Sequence, residues 1–121
     1  MIKKMATVAV YVEDQQKAKE FWTAKVGFEI KRETQMGPNA FWLEVAPPGQ
    51  ETALVIYPKQ MMKNWEECKA SIVFECEDMD STYQRLKENG VQFQGEPSKM
   101  EWGTYVSFTD LDGNSFLLKG N

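Results

Sequence analysis

Histidine is absent from all 121 residues. That gap removes the commonest general base near neutral pH and the commonest nitrogen ligand for transition metals. No Ser-His-Asp or Cys-His nucleophile system can be assembled. Cysteine is scarce as well: Cys68 and Cys76 give neither a disulfide framework nor a finger-type metal spacing. Cys76 falls in an apolar strand pattern and reads as a buried thiol. No apolar run approaches bilayer length, so no membrane partner is expected. Basic residues are scattered, with Lys3-Lys4 and Lys31-Arg32 the only adjacent pairs, and the formal net charge is −4. Without a positive stripe to neutralise phosphates, nucleic acid is not an expected partner either.

What is present suits a compact fold. Hydrophobic residues make up 42% of the chain and charged residues 26%, ordinary values for a globular protein with a core. The length fits one domain, 1–121. The opening residues pass into strand pattern too early for a secretory signal, so the cytoplasm is the expected compartment. A sequence pI near 4.9 mildly favours neutral or cationic ligands.

The chain reads as two similar halves. In the first, strand patterns cover Ala6–Val12, Phe28–Thr34, Ala40–Ala46 and Thr52–Tyr57. A helix pattern from about Gln15 to Lys25 follows an Asp14 N-cap and stops at Gly27, with Ala18, Phe21, Trp22 and Val26 on one stripe. The second half repeats the order: a strand at Ala70–Glu77, a helix capped by Asp78 or Asp80 and ended by Gly90, then strands at Gln92–Gln94, Gly103–Asp110 and Ser115–Lys119. The boundaries are about 5–58 for module one, 59–69 for a linker holding Met61, Met62 and Trp65, and 70–120 for module two.

Val8-Ala9-Val10-Tyr11-Val12-Glu13-Asp14 aligns with Ile72-Val73-Phe74-Glu75-Cys76-Glu77-Asp78 at a constant offset, an internal β-α-β-β-β duplication. Together with Phe21-Trp22 and the closing Asp110-Leu111-Asp112-Gly113-Asn114 turn, this order resembles the vicinal-oxygen-chelate superfamily of glyoxalases, bleomycin resistance proteins and dioxygenases. The resemblance covers essentially the whole chain. It implies an α+β fold in which two βαβββ modules form an open, concave, mixed-sheet barrel with helices on the convex side. It also implies paired chains, hence a homodimer.

Active relatives hold a divalent metal in the cleft by four side chains, mostly His and Glu. By the resemblance those positions fall on Thr7, Ile56, Ser71 and Leu117. Two neutral hydroxyls and two hydrocarbons offer nothing a transition metal needs. The expected metal and cofactor content is therefore none, and no catalytic residue is assigned.

Strand alternation sends Val8, Val10 and Val12 to the core and Thr7, Ala9 and Tyr11 to the cleft; on the fifth strand it leaves Ser71, Val73 and Glu75 facing the ligand side. By the same reasoning Trp42, Glu44, Tyr105 and Ser107 line the cleft, over an apolar floor of Leu54, Ile56 and Leu117. The candidate ligand-binding set is Thr7, Tyr11, Trp42, Glu44, Ile56, Ser71, Glu75, Tyr105, Ser107 and Leu117. Rings with a few polar groups describe a small-molecule site, and rings beside carboxylates favour a planar or cationic ligand. The blander alternative makes Trp42 and Tyr105 barrel filling, Glu44 and Glu75 solvated carboxylates, Asp110 and Asp112 turn formers, and Met61, Met62 and Trp65 linker packing.

The leading expectation is a metal-free small-molecule binding protein that sequesters or senses an aromatic or cationic ligand. The competing reading is a glyoxalase-like lyase or dioxygenase with a non-standard metal site, using Glu44 and Glu75 with the Cys76 thiol. A metal-free acid-base enzyme working through Glu44 or Glu75 is a third.

Overall fold

The computed structural model describes residues 1–121, which divide into two compact units, Met1–Ala70 and Ser71–Asn121. The first unit holds a four-stranded mixed sheet built from β1 (Thr7–Val12), β2 (Glu29–Gly37), β3 (Ala40–Ala46) and β4 (Ala53–Pro58), in the order β1-β4-β3-β2. β1 and β4 run parallel over six pairs, Thr7↔Ala53 to Val12↔Pro58. A parallel pair needs a crossover, and α1 (Gln15–Glu20) supplies it, continued by a π-helical turn at Phe21–Lys25. The Asp14 carboxylate caps the helix, accepting from the Gln16 and Lys17 amides at 3.0 and 3.1 Å.

The helix packs on one face of this sheet. Val10, Val12, Leu43, Val45, Leu54 and Ile56 meet Ala18, Phe21 and Trp22 there, all of them buried. The chain then turns at Gly27, whose φ of 92° lies in the left-handed region that glycine enters freely.

The second unit repeats the plan. β5 (Val73–Glu75), β6 (Gln92–Phe93), β7 (Ser98–Met100), β8 (Gly103–Thr109) and β9 (Ser115–Gly120) form a sheet in the order β5-β9-β8-β6, with β7 also on β8. Again the first and last strands are parallel, β5 on β9, and α2 (Met79–Glu88) makes the crossover. β6 and β7 together occupy the place of β2, interrupted at Gln94–Pro97; a Gly95 at φ 97° and the ring of Pro97 break the ladder. Strand β7 was not legible in the sequence, because Ser98-Lys99-Met100 is exposed and shows no alternation. Phe74, Phe108 and Phe116 stack on the helix side at 5.4–6.2 Å between centroids.

The fifth strand is shorter than the Ala70–Glu77 pattern suggests. Cys76 lies just past its end and is half-buried, not enclosed. Its amide still donates to the Lys119 carbonyl at 2.8 Å. No helix is long and apolar enough to cross a membrane.

Candidate ligand-binding site

The face of the first sheet opposite α1 carries a row of rings. Tyr11 and Tyr57 are register partners across the parallel β1–β4 pair, so their side chains share a face. Their rings meet edge to face, 6.0 Å apart at 85°. Trp42, on β3, meets Tyr57 the same way, at 6.3 Å and 80°. Edge-to-face pairs are worth about 1 kcal/mol each beyond the area they bury, so the row holds its own shape.

Glu44 completes the row. Two residues along β3 from Trp42 it points to the same face, and its Oε2 accepts from the Trp42 indole at 2.7 Å. Arg32 stands directly opposite Glu44 on β2. Burial is the main reason the Tyr11 phenol is pushed above its ordinary value of 10.0, with the Cys68 thiol and the Tyr57 phenol adding like charge as they ionise.

Thr7, Tyr11, Trp42 and Glu44 thus occupy the face the alternation assigned to them. Ile56 does not. It pairs with Val10, fully buried under α1, and Leu54 likewise pairs with Val45 on the helix side. The register of β4 is one residue off the sequence reading, which flips the whole strand. Val55 and Tyr57 replace Leu54 and Ile56 on the ring face, and Tyr57 is the member that sequence reasoning missed. A signal was available: in Leu54-Val55-Ile56-Tyr57 every residue is apolar or aromatic, so alternation is silent, yet pairing Tyr57 with Tyr11 was open.

In the second unit the corresponding face is more polar. Glu75, Lys119 and Tyr105 form one register row, and Val73, Leu117 and Ser107 the next. Glu75, Tyr105, Ser107 and Leu117 thereby share one face, as alternation expected. Ser71 precedes β5, is exposed and has no strand partner.

Whether these residues fit a divalent metal can be judged by donor chemistry. No three His, Cys, Asp or Glu side chains converge anywhere in the chain. Thr7, Ser71 and Leu117 offer hydroxyls and hydrocarbon, Ile56 is turned into the core, and Val55 in its place brings no donor. The residues present do not fit the metal site of chelating relatives.

Asp110 and Trp65 have partners outside the ring row. Asp110 Oδ1 accepts from the Asp112 and Asn114 amides at 2.9 and 2.8 Å, and Oδ2 from Asn114 Nδ2 at 2.9 Å, so Asp110 builds the turn. Trp65 lies under the Lys59 ammonium, 4.5 Å from its ring centre, and Lys59 also bridges Glu13 at 3.0 Å. A cavity of about 620 Å³ in the first unit, lined by Gln15, Pro38, Asn39, Phe41, Pro58 and the linker residue Met61 among others, holds none of the residues of the candidate ligand-binding set.

Comparison with known proteins agrees with this architecture. Residues 4–118 match the profile of the Glyoxalase/Bleomycin resistance protein/Dioxygenase superfamily. The chain is 69% identical over 119 residues to the uncharacterized protein YetH of Bacillus subtilis (strain 168), covering 98% of this chain and 99% of that protein. A superfamily member from Sphaerobacter thermophilus is 30% identical, with a TM-score of 0.88 over 99% of this chain and 98% of its own. TnmS3, an antibiotic binding protein from Streptomyces sp. CB03234, is 34% identical, with a TM-score of 0.82 over 98% of this chain and 96% of its own. By its duplicated βαβββ modules, its sheet order and these matches, the chain belongs to the glyoxalase/bleomycin resistance protein/dioxygenase superfamily.

Proposed function

We propose that this protein is a metal-free small-molecule binding protein that holds a planar aromatic ligand against the Tyr11–Tyr57–Trp42 face of module one and so sequesters or senses it. The observation that carries the reading is the ring row itself. Two tyrosines and a tryptophan stand edge to face on one side of a sheet, with Trp42 oriented by Glu44. A flat π-system stacks on such rings with little cost in side-chain entropy. The likeness to an antibiotic binding protein supports a small-molecule ligand.

Charge has a lesser part in this reading. Glu44 favours a cation, but Arg32 opposite it offsets that field. A cationic group is therefore tolerated rather than required. The protein acts as a homodimer in this proposal, since β2 is a nine-residue edge strand exposed along nearly its whole length, and edge strands gain from cover.

A thermal-shift screen in EDTA tests the ligand class, with acridone as a neutral planar probe and 9-aminoacridine as its cationic counterpart. Stabilisation by both is expected. Absence of any shift with planar aromatics argues against the reading, as does a stoichiometric transition metal in protein purified without chelator.

A further inference from the structure

The two modules differ at one place where their duplication should make them alike. β8 and β9 pair without a break over six residues, Thr104↔Gly120 to Thr109↔Ser115. Their counterparts β3 and β4 pair over only two, Glu44↔Val55 and Val45↔Leu54. Beyond those pairs the β3–β4 ladder stops, and the amide of Gln15 bonds backbone groups of both strands.

Its amide replaces the missing ladder. Nε2 donates to the Phe41 and Ile56 carbonyls, both at 2.7 Å, and Oε1 accepts from the Phe41 amide at 3.0 Å. Gln15 is 8% exposed, although it opens a helix, where solvent is the usual surroundings of a polar residue. At the constant offset of the duplication its position is taken in module two by Met79, fully buried and without a hydrogen-bonding amide. The gap goes with the glutamine.

Phe41 and Ile56 immediately precede Trp42 and Tyr57. We infer that Gln15 is a positioning residue for the aromatic face: its amide, reaching in from the helix side, sets the separation of β3 and β4 and with it the spacing of the Trp42 and Tyr57 rings. This rests on the binding role proposed above for those rings. The chemistry is specific to glutamine. Asparagine is one methylene short, and glutamate would bring an acceptor, with charge, against two carbonyl oxygens.

The test uses the full chain labelled with 5-fluorotryptophan, the Trp42 fluorine resonance being assigned with W42F. Gln15→Met, which installs the module-two residue, is compared with Ala18→Gly, a destabilising change in the same helix. The expected result is a displaced Trp42 resonance in the ligand-free Gln15→Met protein and acridone binding weakened about tenfold, the loss of roughly one good contact. Ala18→Gly should lower the melting temperature yet leave the resonance in place. Where Gln15→Met does not fold, Gln15→Asn, which keeps the amide but not the reach, is read the same way. An unmoved Trp42 resonance, or an equal shift in Ala18→Gly, overturns the inference. Failure of acridone to bind even the parent protein counts against the binding role alone, because the ligand-free spectrum still decides the positioning role.

Discussion

The Trp42 indole donates a 2.7 Å hydrogen bond to Glu44, its same-face neighbour on β3. The bond fixes the indole against Tyr57, so in the proposed binding role Glu44 would act on a ligand mainly through the ring it holds. Glu44→Gln keeps an acceptor for the indole and should bind acridone within about twofold of the parent. Glu44→Ala removes the acceptor and frees the ring; binding of acridone and of 9-aminoacridine should fall together, by about five- to tenfold, the scale of one hydrogen bond. Calorimetric titration of both variants checks this. A loss confined to the cationic probe would show charge, not orientation, to be the role of Glu44.

Tyr11 gives a pH signature. Its phenol is raised above 10.0 by burial first and by Cys68 and Tyr57 next. A raised acid keeps its proton more tightly in the folded state, so its contribution to stability is complete below the unfolded value and is lost as pH rises through the folded one. In a spectrophotometric titration at the phenolate band, Tyr11→Phe should delete a late-ionising tyrosine. Above pH 10 the parent should lose stability more steeply than the variant.

Gly120 must remain glycine for reasons of space. A Cβ there would lie 2.7 Å from the Cys76 sulfur and 3.3 Å from both the Cys76 carbonyl and the Met79 amide. Gly120→Ala should destabilise the protein by about 2 kcal/mol, the usual cost of overpacking. Adding Cys76→Ala removes the nearest obstacle but not the backbone ones, so the double variant should recover part of that loss and not all. Chemical denaturation of the three proteins measures it.

Asp110 holds its turn with three acceptor contacts, and burial raises its carboxyl above the ordinary 3.8 more strongly than the Asn114 and Asp112 hydrogen bonds lower it. Asp110→Ala should cost about 2 kcal/mol by leaving these donors unmet. With a raised folded value, the carboxyl contributes stability below 3.8 that is lost as pH rises through the folded pKa. Asp110→Asn keeps an oxygen for the backbone amides and lacks that titration. Its stability relative to the parent should therefore fall as pH drops toward 4, which melts at pH 7 and pH 4 can compare.

Much of this was readable from residue order because the duplication supplies two copies of each signal. Val8-Val10-Val12 and Ile72-Phe74-Cys76 both alternate cleanly, and the faces of β1 and β5 followed from them. β4 defeated the same logic, since Ala53 to Tyr57 is apolar on both faces and only pairing with β1 fixes its register. Gln15 was legible as a helix start but not as a spacer. Its partners are backbone groups of Phe41 and Ile56, remote in sequence, and backbone groups carry no sequence signal. β7 escaped because an exposed edge segment needs no hydrophobic pattern.

That a row of rings, with no chelated metal, is what this protein offers a ligand can be put to one titration. Acridone is added to 5-fluorotryptophan-labelled protein in EDTA, and the fluorine resonances of the four tryptophans are followed. The Trp42 signal should move saturably, with Trp102 unaffected. A response that appears only after a divalent metal is supplied, or one that leaves Trp42 still while another tryptophan shifts, would contradict it.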